Sequence, residues 1–249
     1  MAAERRKITV NGFDRESEDF RSKDYAVAIT DFTTVLDALL HIKERQDQNL
    51  SFRYSCRMGI CGSCAMVING EPRLACETII KKMHTQEIRV EPMRAHPLLK
   101  GLVTDFDDFF EKHKEALPWV IRNNAREKFR GRELYRQTAE ERDSFLPFAE
   151  CIKCGLCVDA CPVSNTNKDF MGPQALAQAY RYNADSKDEG GAERLEKLDT
   201  IEAVWGCEFA GACSKVCPKS VDPALAIQML KEDIAEYRLL GGKKNRKER

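Results

Sequence analysis

Short apolar, β-prone runs are spaced along the first hundred residues of this sequence. They occupy residues 8–10, 25–29, 65–68 and 87–90, and each contains the branched side chains that favour strands. Asn69 and Gly70 directly follow the third run, and this pair favours the two-residue turn of a hairpin because both residues tolerate positive φ. The pattern therefore predicts a small sheet in this part of the chain.

One helix is predicted between the second and third runs. Thr34 and Asp37 are spaced as a capping box, and helical spacing then follows at Val35, Leu36, Leu39, Leu40 and Ile42. A small sheet crossed by one helix resembles the β-grasp arrangement of plant-type ferredoxins.

The period of the apolar pattern changes at about Pro97. From Leu99 to Phe110 apolar residues recur at three and four positions, which predicts a helix, and helical patterns dominate the rest of the chain.

Residues 122–144 are strongly charged and predict a surface connection or an exposed helix. Gly172-Pro173 and Asp222-Pro223 predict two helix starts, the second helix running over residues 224–240. We expect an α+β protein with a β-grasp domain over residues 1–100 and an all-α, bacterial-ferredoxin-like domain over residues 101–249.

The composition of the chain argues against several classes of function. Lys plus Arg and Asp plus Glu each total 40, so no net field favours nucleic acid. Neither a secretory signal nor a run of about 18 apolar residues is recognisable, so we expect any membrane attachment to come from another subunit. The 11 cysteines are odd in number and clustered, which indicates metal ligands in a reducing compartment rather than disulfides. A bacterial or archaeal cytoplasm fits this pattern.

The first cysteine group is Cys56, Cys61, Cys64 and Cys76. Its opening spacing, Cys-x4-Cys-x2-Cys, is that of plant-type [2Fe–2S] proteins. Glycines at positions 59 and 62 suit a tight loop whose backbone amides approach the sulfurs. A four-cysteine zinc site is the alternative, although such sites normally show two separate Cys-x2-Cys pairs.

Two further groups follow the bacterial ferredoxin run, in which the last cysteine binds the other cluster. The run at residues 151–162 is complete, whereas the run at residues 207–218 has Ala210 in place of its second cysteine. Three thiolates predict a [3Fe–4S] cluster at the second site, with an exogenous ligand to a fourth iron as the alternative. The exchange rule gives Cys151, Cys154, Cys157 and Cys217 to [4Fe–4S], and Cys161, Cys207 and Cys213 to [3Fe–4S].

These motifs, in this order, resemble the iron–sulfur subunit of succinate dehydrogenase and quinol:fumarate reductase. The most specific stretches are residues 55–64, 151–157, 179–183 and 213–223. The resemblance implies a subunit of a quinone-linked succinate dehydrogenase or fumarate reductase that holds no dicarboxylate site itself. Electrons would pass between FAD in a flavoprotein subunit and a quinone through [2Fe–2S], [4Fe–4S] and [3Fe–4S]. Some relatives replace the third [2Fe–2S] cysteine by aspartate, whereas this chain keeps Cys64.

The same resemblance implies residues for the quinone. Lys231 matches a lysine that reaches the quinone in fumarate reductases, with Gln228 nearby, and a cation there stabilises negative charge developing on the quinone. Trp205 is expected either in the core or at the quinone end, and Trp119 in the core. Residues 163–173 lack the tryptophan common in ubiquinone-reducing members, which favours menaquinone. Membrane-anchor subunits would hold the chain on the cytoplasmic face of the inner membrane.

Other function classes remain as alternatives at this stage. An iron–sulfur subunit of another flavoenzyme complex would normally carry two complete cubane runs, and a stand-alone multi-cluster ferredoxin would purify without a flavoprotein. A structural zinc protein would be colourless. The four histidines are separated from one another and from the cysteines in sequence, which gives little support to a Rieske-type centre. No dinucleotide fingerprint or nucleophile–base set is recognisable.

Overall fold

The computed structural model describes residues 4–122 and 136–241. The described residues form two compact units. The first contains residues up to Asp108 together with Ile152–Ala160, and the second contains Phe109–Cys151 together with the residues from Cys161 onward. Among the described residues, no helix combines the length and the apolar composition that a membrane span requires.

The first unit contains a five-stranded mixed sheet. Its strands are β1 (Arg5–Asp14), β2 (Asp19–Ala28), β3 (Ala65–Ile68), β4 (Glu71–Leu74) and β5 (Glu87–Glu91). They lie in the order β2-β1-β5-β3-β4, with β5 in the middle. Strand β1 runs antiparallel to the edge strand β2 and parallel to β5, with Ile8 opposite Ile88. The four predicted runs therefore lie in strands, except that Ile29 falls one residue beyond β2. Strand β4 is an additional edge strand, where Pro72 is tolerated because an edge leaves amides unpaired.

The hairpin turn and the helix cap predicted in the first unit are both present. Asn69 and Gly70 both have positive φ, 49° and 83°, and join β3 to β4. Helix α1 (Val35–Arg45) begins at the Thr34 cap, whose hydroxyl accepts the Asp37 amide at 3.1 Å while the Asp37 carboxylate accepts the Thr34 amide at 2.9 Å. The buried stripe of α1 differs from the prediction at two positions, because Ala38 is buried while Leu40 is only half-buried.

The helix predicted from Leu99 was wrong at its beginning. A short hairpin of β6 (Leu98–Lys100) and β7 (Val103–Thr104) occupies this segment, and α2 (Asp107–Glu115) starts only afterwards. Gly101 adopts a φ of +59° and exchanges two backbone hydrogen bonds with Phe13, at 2.9 and 2.7 Å. Pairing with a distant strand thus overrides the local helical spacing.

Within the described residues of the second unit, all regular secondary structure is helical. Pro173 and Pro223 open the two longest helices of this unit, as predicted, and the Asp222 carboxylate accepts the Leu225 amide at 2.9 Å. Leu176, Ile227 and Leu230 are fully buried in its core. The helices of this unit after α2 are α3 (Ala139–Asp143), α4 (Leu146–Ala149), α6 (Pro162–Thr166), α7 (Pro173–Asn183), α8 (Gly191–Leu198), α9 (Ala212–Lys215) and α10 (Pro223–Leu239); α5 (Leu156–Asp159) belongs to the first unit.

The charged stretch at residues 122–144 is described only in part. Residues 123–135 lie outside the described ranges, and α3 at its end has no buried residue, consistent with an exposed helix.

Candidate functional site

The loop from Cys56 to Cys64 curls tightly enough to bring its backbone amides onto cysteine sulfurs. Gly59 and Gly62 have φ of +67° and +73°. The amides of Met58, Ile60 and Cys61 lie 3.4, 3.4 and 3.3 Å from the Cys56 Sγ, and the Gly59 amide lies 3.3 Å from the Cys76 Sγ. N–H groups aimed at thiolates stabilise a negatively charged cluster, so the loop fits a [2Fe–2S] group.

The remaining ligands of this group differ in environment. Burial raises the pKa of the Cys64 thiol to about 12, and a side-chain hydrogen bond with Cys76 acts in the same direction. At Cys61 burial opposes ionisation, but hydrogen bonds from Ser63 and Cys56 outweigh it and lower the pKa to about 6. The Ser63 hydroxyl lies 2.8 Å from the Cys61 Sγ, a contact that sequence reasoning missed although a hydroxyl between two ligand cysteines signals it.

Gly62 also permits close packing against the second cysteine run within the first unit. A Cβ at Gly62 would lie 2.8 Å from the Cβ of Cys154. Gly155, with φ +81°, precedes α5, which carries Cys157. The carboxylate of Asp159 accepts the amides of Arg94 and Ala95, the latter at 2.9 Å, and so fastens this short helix to the chain after β5. Sequence reasoning gave Asp159 no role.

The four cysteines predicted for [4Fe–4S] are distributed over both units. Cys154 and Cys157 belong to the first unit, and Cys151 and Cys217 pack against the helical core of the second. Their assignment to one cluster stays a prediction from spacing.

The structure brings the third cysteine group together within the second unit. Cys161, Cys207 and Cys213 line one cavity, and Ala210 lines it with them. Burial raises the pKa of the Cys213 thiol to about 11, and the nearby Cys161 and Cys207 add to the shift. The cavity is therefore lined by three cysteines and by an alanine that cannot bind iron, which fits a cluster with three protein ligands, [3Fe–4S].

Lys231 lies beside this third group. Its ammonium donates to the backbone carbonyl of Cys207 at 2.9 Å and stands 5.8 Å from the centre of the Trp205 ring. The Nε2 of Gln228 is buried and has no hydrogen-bond partner within the described part of the chain. Placing Trp119 in the core was wrong, because it is 47% exposed, and Trp205, at 38%, is likewise a surface residue whose indole donates to Asp199.

No three or more His, Cys, Asp or Glu side chains among residues 4–122 and 136–241 are arranged to hold a single metal ion. A cluster distributes its ligands over several irons, so its thiolates need not converge on one point.

Comparisons with known proteins identify both halves of the chain. Residues 7–111 match a family described as 2Fe-2S iron-sulfur cluster binding domain, and residues 147–221 match one described as 4Fe-4S dicluster domain. The chain is therefore an iron–sulfur protein of the electron-transport class.

Curated relatives then give the family. The fumarate reductase iron-sulfur subunit of Mycobacterium tuberculosis is 46% identical over 86% of each chain, and that of an Escherichia coli strain is 41% identical over 89% of each chain. A chain of the Mycobacterium smegmatis Sdh1 complex in the apo form superposes with a TM-score of 0.80 and 27% identity, covering 96% of this chain and 98% of that chain. This chain belongs to the family of fumarate reductase iron–sulfur subunits.

Proposed function

We propose that this chain relays electrons between FAD in a flavoprotein subunit and a quinone, with menaquinone favoured, in a membrane-bound succinate:quinone oxidoreductase. Anchor subunits would hold it on the cytoplasmic face of the inner membrane. The family relationship supports the electron-transfer role, and no nucleophile–base set in the sequence suggests dicarboxylate chemistry in this chain. The clusters supply one-electron redox chemistry when bound.

The observation that carries this proposal is the cavity with three cysteines and Ala210. Cys161, Cys207 and Cys213 would hold [3Fe–4S] there. Cys56, Cys61, Cys64 and Cys76 would hold [2Fe–2S], and Cys151, Cys154, Cys157 and Cys217 would hold [4Fe–4S]. The division into 1–100 and 101–249 remains our proposal for the domains that carry them.

The chain's own residues contribute positioning and charge. Backbone amides of residues 58–61 donate to Cys56 and Cys76 and favour the more negative, reduced state. Lys231, fixed to the carbonyl of Cys207, sets a positive charge beside the third group. Such a charge favours electron delivery to a quinone, because it stabilises the negative charge that develops there. Gln228 offers a second donor, and the exposed ring of Trp205 lies 5.8 Å from the Lys231 ammonium.

The test is EPR spectroscopy of the purified complex with a redox titration. Three cluster signals are expected, including a [3Fe–4S] signal in the oxidised state, together with co-purification of a flavoprotein. Two cubane signals without [3Fe–4S] would contradict the ligand assignment. A colourless chain containing zinc and no acid-labile sulfide would contradict the function as a whole.

A further inference from the structure

Gln174 is a buried amide side chain beside a predicted cluster ligand. It is the second residue of α7 and is only 2% exposed. Its Nε2 lies 3.2 Å from the Nδ1 of His113 and 4.0 Å from the Sγ of Cys151, and all three residues belong to the second unit. One amide nitrogen thus faces an imidazole nitrogen and a sulfur.

The chemistry of the two neighbours fixes the orientation of this amide. An amide nitrogen carries two hydrogens, and here each has an acceptor, the Nδ1 of His113 and the Sγ of Cys151. The opposite orientation would turn the carbonyl oxygen toward the sulfur, where the lone pairs of a thiolate would repel it. Accepting through Nδ1 requires His113 to carry its proton on Nε2. The N–H therefore points to the sulfur.

Packing alone does not explain a glutamine at this position. The Oε1 of Gln174 is buried and has no hydrogen-bond partner within the described ranges, an arrangement that costs stability. An unbranched apolar side chain would fill the same space without an unsatisfied oxygen. Gln178, one turn further along α7, is different because its Nε2 donates to the backbone carbonyl of Phe148 at 2.9 Å and so links two helices.

We propose that Gln174 is a positioning residue that donates an N–H to the Cys151 thiolate and thereby raises the reduction potential of the [4Fe–4S] cluster. Adding an electron increases the negative charge on the sulfurs, so a donor stabilises the reduced cluster more than the oxidised one. This inference rests on the proposed function, which assigns Cys151 to that cluster.

The test is Gln174→Met in the assembled complex, followed by an EPR-monitored redox titration. Losing one N–H···S bond should lower the ratio of reduced to oxidised [4Fe–4S] at a fixed ambient potential by about threefold to fivefold, the effect of one weak hydrogen bond. With tenfold equal to 59 mV for a one-electron couple, this shift is about 30–40 mV. The [2Fe–2S] and [3Fe–4S] potentials should stay unchanged.

Gln178→Met is the matched control, since it removes a buried amide from the same helix without touching a cysteine. It should lower stability and leave all three potentials unchanged. An unchanged [4Fe–4S] reduction potential in Gln174→Met, or an equal change of that potential in both variants, would overturn the inference. If Gln174→Met does not assemble, Gln174→Asn gives the same reading, because its amide is one methylene too short to reach the sulfur. Absence of the [4Fe–4S] signal from the wild-type complex would instead refute the proposed function.

Discussion

Replacing Ala210 by cysteine should convert the third cluster from [3Fe–4S] to [4Fe–4S]. Ala210 occupies the second cysteine position of its run and lines the cavity shared by Cys161, Cys207 and Cys213. Ala210 is exposed, so the added sulfur does not have to displace buried core side chains. The variant supplies the one thiolate that the fourth iron lacks.

The expected change is one iron atom per chain. With all three clusters loaded, the iron content should rise from about nine to about ten atoms, since each cubane corner needs its own ligand. The oxidised-state [3Fe–4S] EPR signal should fall from about one spin per chain to nearly none. The potential of this cluster should fall, because a fourth thiolate adds negative charge that disfavours a further electron.

Iron analysis of the purified complex measures the iron content per chain, and quantitative EPR measures the [3Fe–4S] spin count. Ala212→Cys is the matched control, because Ala212 lines the same cavity but does not occupy a ligand position of the run. That control should keep the wild-type iron content and spin. Ala210→Cys retaining the full [3Fe–4S] signal at unchanged iron content would refute the reasoning that the missing cysteine determines the cluster type.

Three further predictions follow from individual contacts. Asp188→Ala should lower the free energy of unfolding by about 3–5 kcal/mol in denaturant titrations, because it leaves the fully buried guanidinium of Arg194, held at 2.9 Å, without its counter-charge; a loss below 1 kcal/mol, the size for an exposed pair, would contradict this. Gly62→Ala should destabilise the chain by more than Gly70→Ala. Both glycines have positive φ, which costs an alanine about 1–2 kcal/mol. Only at Gly62 would the added Cβ also meet another side chain, the Cβ of Cys154 at 2.8 Å; equal denaturation midpoints of the two variants would remove the steric argument. Lys231→Leu should abolish most quinone turnover in the assembled complex while dye reduction linked to the flavoprotein persists, and normal quinone turnover would remove this assignment.

Much of the first unit could be predicted from the sequence because its signals are local. The Thr34–Asp37 capping box and the Asn69-Gly70 turn each act within four residues, and the structure has both. The segment after Pro97 shows the limit of such reasoning. Its apolar spacing favours a helix, but hydrogen bonding of Gly101 to Phe13, far away in sequence, makes it a hairpin.

The candidate site likewise has features that could be predicted from the sequence and features that could not. The grouping of 11 cysteines, the absence of one at position 210 and the glycines of the first loop can be read from the sequence, because ligand spacing is a property of short segments. Exposure of Trp119 and Trp205 could not, since apolar neighbours in sequence do not reveal which face of a segment is covered.

The sequence by itself determined the cysteine spacing, the Asn69-Gly70 turn and the helix starts at Pro173 and Pro223, since these depend on backbone conformations that a few adjacent residues specify. Only the tertiary structure decided what surrounds the sulfurs. Lys231 reaches the carbonyl of Cys207 from 24 positions away, and the amide of Gln174 reaches Cys151 from 23 positions away. Contacts of this kind arise when helices pack, and the packing depends on the whole core rather than on any one motif.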